Sequence, residues 1–354
     1  MNLFYYDKET NIYPTQLDAI KSGKPCLFYY YDKEMLQIDW KTEPVESLSE
    51  LYRMRAQQIR DENQHVILCF SGGIDSTNML ESFYYNNIHI DEILVVGAIS
   101  QDSFRGSDEN HNGDLYHNVF PLLNSLNLPN TKITIKDYTE IFNDPTNFTL
   151  IQKYGNEWAK YTGAYRSVHH LFWYDLKKFI GREHGKQTCY VMGSDKPAIS
   201  FIDNKPCVRF GDLSVNDYGA NYEDEHFRRI NFYNGTDEVV AKLMRKQAHV
   251  VLRHLNANFN PNFVEDFNLS LAERDKAFLK RLDNVAEMVY DVKNPLKHIS
   301  HKSTLTAISA RDKYLLSKSN SEIYKWFREG LQTIQKYGDI DVKYAFSTRP
   351  YWLT

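Results

Sequence analysis

The stretch that most restricts the folds open to this chain is an apolar run over 66–70 that stops at Ser71-Gly72-Gly73. Within a few residues it gives way to an amphipathic helix. A strand buried on both faces that opens through a glycine turn into a helix is the first half of a βαβ unit. The pattern then repeats. A helix with Met79, Leu80, Phe83 and Tyr84 on its apolar face leads to a strand over 92–99, and one with Leu115, Val119, Leu122 and Leu126 leads to a strand over 132–137. A third, carrying Val168, Leu171, Phe172, Leu176, Phe179 and Ile180, leads to a strand over 188–192. Strands alternating with helices in this way predict an α/β fold, a Rossmann-like parallel sheet with helices on both faces.

The two ends read differently. Residues 1–45 predict a small β-rich segment, with aromatic-rich strands over 2–6, 24–31 and 36–40. Ser47-Leu48-Ser49-Glu50 has capping-box spacing, and Leu48, Leu51, Tyr52, Ala56 and Ile59 follow at helical intervals. The parallel sheet occupies 46–235, with an appended hairpin of strands over 199–202 and 207–210. Residues 236–354 read as mostly helical, with helices near 237–257, 271–290, 304–317 and 321–337.

Chemistry concentrates at the first turn. Gly72 and Gly73 let the backbone approach an anion and aim N–H groups at it, and the following helix N-terminus adds about 0.3–1 kcal/mol of attraction for negative charge. Ser71, Ser76 and Thr77 add hydroxyls. Ligands of open parallel sheets bind beyond the carboxyl ends of the strands, so Gly97 to Arg105 (with Ser100, Gln101 and Asp102) and Gly193-Ser194-Asp195-Lys196-Pro197 are expected on the same rim. The net charge of −4 and pI near 6.3 argue against a dominant, sequence-independent grip on nucleic acid. Four scattered cysteines, Cys26, Cys69, Cys189 and Cys207, form no CxxC and read as reduced, mostly buried thiols. No run approaches the roughly 18 apolar residues of a membrane span. Met1-Asn2-Leu3-Phe4-Tyr5-Tyr6 has neither the basic start nor the apolar stretch of a signal peptide. A cytoplasmic location, away from membranes, is expected.

Ser71-Gly72-Gly73-Ile74-Asp75-Ser76 resembles the SGGxDS signature of the PP-loop ATP pyrophosphatases. These adenylating enzymes include asparagine synthetase, NAD synthetase, tRNA thiolases and lysidine synthase. The small β segment, the Ser-Leu-x-Glu-Leu-Tyr-x-x-Arg-Ala helix and the signature together are most similar to asparagine-synthetase-related phage and bacterial proteins without a glutaminase domain. Position 2 is Asn, not the Cys of glutamine-dependent enzymes, and 45 residues are too few for a glutaminase. Nitrogen would therefore come from ammonia, an amine or a partner protein's product.

The resemblance implies ATP and Mg²⁺ as cofactors. It places nucleotide at Ser71, Gly72, Gly73, Asp75, Ser76, Thr77, Gly97, Gly193 and Ser194, and gives Asp75 a role near the metal and the β- and γ-phosphates. The loop at 193–197 loosely resembles the pyrophosphate loop of the asparagine synthetases, which makes Asp195 a candidate Mg²⁺ ligand and Lys196 a neutraliser of pyrophosphate. Asp75 can equally cap its own helix. Weaker candidates are Asp108-Glu109-Asn110-His111 for an acceptor pocket and the basic groups Arg228-Arg229, Arg245-Lys246 and 298–302 for a phosphate; His169-His170 sit adjacent in mid-helix and face different ways, which argues against a shared metal. Three functions follow. The first is an AMP-forming ligase acting on a small-molecule or nucleotide acceptor. The second is a nucleobase or tRNA modifier, including thiolation, and the third is a nucleotide-binding protein without turnover.

Overall fold

The apolar runs become strands because they are short, rich in β-branched Val and Ile and ended by turns, and a sheet buried on both faces takes their consecutive side chains out of water. A computed structural model describes residues 4–97, 99, 114–137, 144, 148–160, 188–193, 197–203, 205–211, 227–257, 288–290, 292–294, 321–335 and 346–354. At the amino end β1 (Phe4–Asp7), β2 (Ile12–Tyr13), α1 (Gln16–Ser22), β3 (Cys26–Tyr29) and the single-turn α2 (Asp32–Met35) precede α3 (Leu48–Glu62). Next come β4 (His65–Cys69), α4 (Ile74–Tyr84), β5 (Glu92–Gly97), a π-helical turn (Leu115–Val119) continuing into α5 (Phe120–Ser125), and β6 (Lys132–Asp137). There follow α6 (Thr149–Tyr154), a 3-10 turn (Gly155–Lys160), β7 (Thr188–Met192), β8 (Ala198–Ile202) and β9 (Lys205–Arg209). The described chain ends with β10 (Phe227–Asn231), α7 (Glu238–Ala257), α8 (Ser321–Gln335) and β11 (Tyr351–Trp352).

The central sheet has the order β10-β7-β4-β5-β6, and every pairing in it is parallel. Val66, Ile67, Leu68 and Cys69 of β4 are buried, as are Ile93, Leu94 and Val95 of β5 and Cys189, Tyr190 and Val191 of β7. Helices flank the sheet, so the expected α/β architecture stands. The chain moves outward from β4 through β5 to β6, then returns to the other side of β4 with β7 and β10. That reversal makes the gap between the carboxyl ends of β4 and β7 a topological switch point, where open α/β sheets bind ligands.

Helix α3 starts where the capping box predicts. Ser47 Oγ accepts from Glu50 N–H at 3.2 Å, and Ser47 N–H donates to Glu50 Oε2 at 2.8 Å. Its apolar stripe buries Leu51, Tyr52, Ala56 and Ile59. The small antiparallel sheet β2-β1-β3 and the sheet β11-β9-β8 meet through Phe28 N–H donating to the Ser347 carbonyl at 2.9 Å, and Trp40 stacks on Tyr351. The expected hairpin over 199–210 is present as β8 and β9.

Several elements differ from expectation. Residues 36–40 are not a strand: α2 ends there, Leu36 is exposed, and Trp40 turns back to donate its indole N–H to the Met35 carbonyl at 2.8 Å. Between the first strands lies α1, capped by Thr15 and closed by Gly23 at φ +64°. A fifth parallel strand, β10, pairs with β7. The carboxyl end returns as β11 alongside β9. The helices expected over 168–180 and 304–317, and that over 271–290 except its last three residues, lie outside the described residues.

Candidate functional site

Ser71 to Gly73 leave the end of β4, and Gly73 is the N-cap of α4. A glycine has no side chain to cap with, and helix geometry leaves the first four N–H groups without intrahelical acceptors. Gly72 holds φ +77°, the left-handed region that favours glycine. A Cβ there would lie 2.6 Å from Val119 Cγ2 and 3.0 Å from the Asp114 carbonyl oxygen. The π-helical turn brings Asn118 onto the same residue, where its Nδ2 donates to the Gly72 carbonyl at 3.2 Å. Hydroxyls brace the turn: Ser76 Oγ donates to the Gly73 carbonyl at 3.0 Å and lies 3.2 Å from Ser71 Oγ. Ser71 is exposed, Asp75 half-buried, and Thr77 fully buried, with no hydrogen-bond partner for its Oγ1 among the described residues.

Gly193 follows β7 directly. A Cβ on it would stand 3.1 Å from Ser76 Cα, 3.2 Å from Ser76 N and 3.3 Å from the Asp75 carbonyl carbon. Glycine at 193 thus lets the first turn of α4 sit against the end of β7. Since Cys69 pairs in register with Met192, the 71–73 turn and Gly193 occupy neighbouring positions on one rim. Gly97, buried at the end of β5 opposite Asp137, is on the same edge of the sheet, where Ile99 N–H donates to Asp137 Oδ1 at 3.1 Å. The structure therefore brings Ser71, Gly72, Gly73, Asp75, Ser76 and Thr77 into one turn with Gly193 against it. Ser194, Asp195, Lys196, Ser100, Gln101, Asp102, Arg105, the 108–111 segment, His169, His170 and 298–302 lie outside the described residues.

No family model matches the chain, and no curated protein matches it. Among solved structures the chain is similar to an NH3-dependent NAD synthetase from Campylobacter jejuni subsp. jejuni NCTC 11168, in complex with nitrate ion. The two are 13% identical, and the match covers 83% of this chain and 96% of that one at a TM-score of 0.28.

The turn has partners that local sequence does not announce. Tyr233, just past β10, donates its phenol to the Asp75 carbonyl at 2.6 Å and accepts from Asn78 Nδ2 at 3.0 Å. Tyr290 donates to Asp75 Oδ1. Burial holds the Tyr290 hydroxyl well above the usual tyrosine pKa, and the Asp75 charge adds to that. Burial likewise raises Tyr233. Both therefore stay protonated donors. Neither residue sits in a motif, and the only signal available was the unusual number of tyrosines, 25 in the chain.

The basic pairs find protein partners. Arg228 and Arg229 are strand residues of β10, with Arg228 Nη1 3.7 Å from Glu62. Arg245 Nη1 donates to the Asp39 carbonyl at 3.0 Å, and Lys246 Nζ to the Pro44 carbonyl at 3.0 Å, tying α7 to the 39–46 loop. All four cysteines are free and buried, and burial pushes the Cys69 and Cys189 thiols up to about 12.

Among the described residues, no group of three or more His, Cys, Asp or Glu is arranged to hold a metal ion. The half-buried Asp75 carboxylate is an oxygen donor of the right hardness for a Mg²⁺, which binds through one or two protein carboxylates plus phosphate oxygens. No helix among the described residues is long and apolar enough to cross a membrane.

Proposed function

We propose that this chain binds Mg·ATP at the 71–77 turn and splits it between the α- and β-phosphates, activating an acceptor oxygen by adenylation. One observation carries the reading. The Ser-Gly-Gly-Ile-Asp-Ser turn, with Gly72 in the left-handed region, lies at the switch point of a parallel sheet, flanked by Gly193.

The attacking oxygen of a carboxylate or carbonyl displaces pyrophosphate, and an amine, ammonia or another nucleophile then displaces AMP. Negative charge grows on the departing pyrophosphate, so preorganised backbone N–H groups at 72–76 stabilise that state without reorganising. Mg²⁺, when bound, supplies charge neutralisation on the phosphates, with Asp75 as its carboxylate. Asp195 and Lys196, following Gly193, are proposed to act on the same pyrophosphate. Sulfur transfer loses support because no described cysteine is exposed enough to carry a persulfide.

The test is ATP–pyrophosphate exchange across a panel of amino acids, nucleosides and tRNA, with products identified. AMP and pyrophosphate are expected, and Asp75→Ala is expected to lower exchange at least about 100-fold, a loss equivalent to about 2.7 kcal/mol of transition-state stabilisation. ADP and phosphate as products would overturn the assignment.

A further inference from the structure

Two phenols from the carboxyl-terminal half close on one residue of the turn: Tyr233 on the main-chain carbonyl of Asp75, Tyr290 on its side chain. Farther along α4, the buried Glu81 accepts from Lys293 N–H at 2.6 Å, Asn294 N–H at 2.9 Å and Asn294 Nδ2 at 2.9 Å. The chain near 290–294 is therefore anchored to the helix at two places. Tyr52 fixes it from a third side by donating to the Val289 carbonyl at 2.5 Å. The Tyr290 ring lies 5.5 Å from that of Tyr233 and 6.3 Å from that of Tyr52, centroid to centroid. Ring and flanking backbone are thus both held, and the phenol meets Asp75 from a fixed side.

We propose that Tyr290 is a positioning residue for Asp75, fixing the carboxylate in the orientation that meets a nucleotide-borne Mg²⁺. The inference rests on the nucleotide reading above. A carboxylate has about four lone-pair sites, and the Tyr290 phenol takes one on Oδ1. Partners that orient a ligating carboxylate are worth about 10–100-fold in metal affinity.

The full-length protein, Tyr290→Phe and Asp75→Asn are each titrated with Mg²⁺ in the presence of a fluorescent ATP analogue, and also with the analogue in EDTA. Tyr290→Phe keeps the ring and removes only the hydroxyl. Its half-saturating Mg²⁺ concentration is expected to rise about tenfold, with affinity in EDTA unchanged. A merely structural loss would weaken both. If Asp75→Asn raises the Mg²⁺ requirement and Tyr290→Phe does not, the positioning role is overturned and the nucleotide reading survives. If the unaltered protein does not bind the analogue at all, both fall. Should Tyr290→Phe fold poorly, Glu81→Gln, which loosens the second anchor, is expected to give a smaller rise of the same sign, and no rise counts against the proposal.

Discussion

At the amino ends of the parallel strands, charged side chains pair with other groups of the protein. Asp91 accepts from Val66 N–H at 2.7 Å and from Arg60, while His65 Nδ1 and His89 Nε2 stand 3.8 and 3.5 Å from its Oδ1. Lys132 Nζ lies 3.5 Å from the buried Glu92, on the next strand. At the carboxyl ends, backbone takes the place of charge: two glycines, an N-cap without a side chain, and Gly193 pressed against the helix start. One rim pairs charges across the strand ends, and the other is a glycine turn braced by hydroxyls, an amide and two phenols. Substitutions at the first should therefore change stability alone, and those at the second should change binding as well.

Gly72→Ala is the harshest break. Its methyl group would enter the left-handed region and meet Val119 and the Asp114 carbonyl, which together cost about 2–4 kcal/mol. Thermal unfolding should register that loss, and nucleotide binding should disappear. Asp91→Ala should cost about 2 kcal/mol by leaving the Val66 N–H and Arg60 without their carboxylate. Nucleotide affinity measured on the folded fraction should stay at the original value, and a fall in affinity would erase the contrast between rims. Gly193→Ala is milder, about 1–2 kcal/mol, because the α4 backbone must give by a few tenths of an ångström. Its clearer readout is weaker nucleotide binding from a displaced turn.

How much of this was legible follows from where the forces are local. The glycine turn, the capping box of α3 and the buried strands β4, β5 and β7 are written in adjacent residues, and all could be read. The strand β10 could not. Among the described residues it is an edge strand, paired with β7 alone, and its Phe-Arg-Arg-Ile-Asn, half-buried over 228–231, has no continuous apolar run. The alternation Leu36-x-Ile38-x-Trp40 mimics a strand, but its burial is set by Trp40 folding back on Met35. The tyrosine grip on Asp75 joins residues 158 and 215 positions apart, and no local pattern encodes it.

The smallest effects are in pH. Although burial alone would raise it, Val66 N–H and Arg60 hold the Asp91 carboxyl below its ordinary value. Its contribution is then present above the unfolded carboxylate pKa and lost as pH falls through the lower folded one. Cys69 and Cys189 act at the other extreme. With folded values of about 12 against an ordinary 9.0, their contribution is whole below pH 9 and declines as pH rises toward 12. Acid and alkaline melts should show these two slopes, with both thiols refractory to alkylation in the native protein at pH 8. Rapid labelling of either would contradict their burial.

The most direct test of the central claim is a crystal structure with Mg²⁺ and a non-hydrolysable ATP analogue. The account predicts phosphate oxygens against the N–H groups of Gly72 and Gly73, between the ends of β4 and β7. Nucleotide bound elsewhere, with that turn untouched, would contradict it.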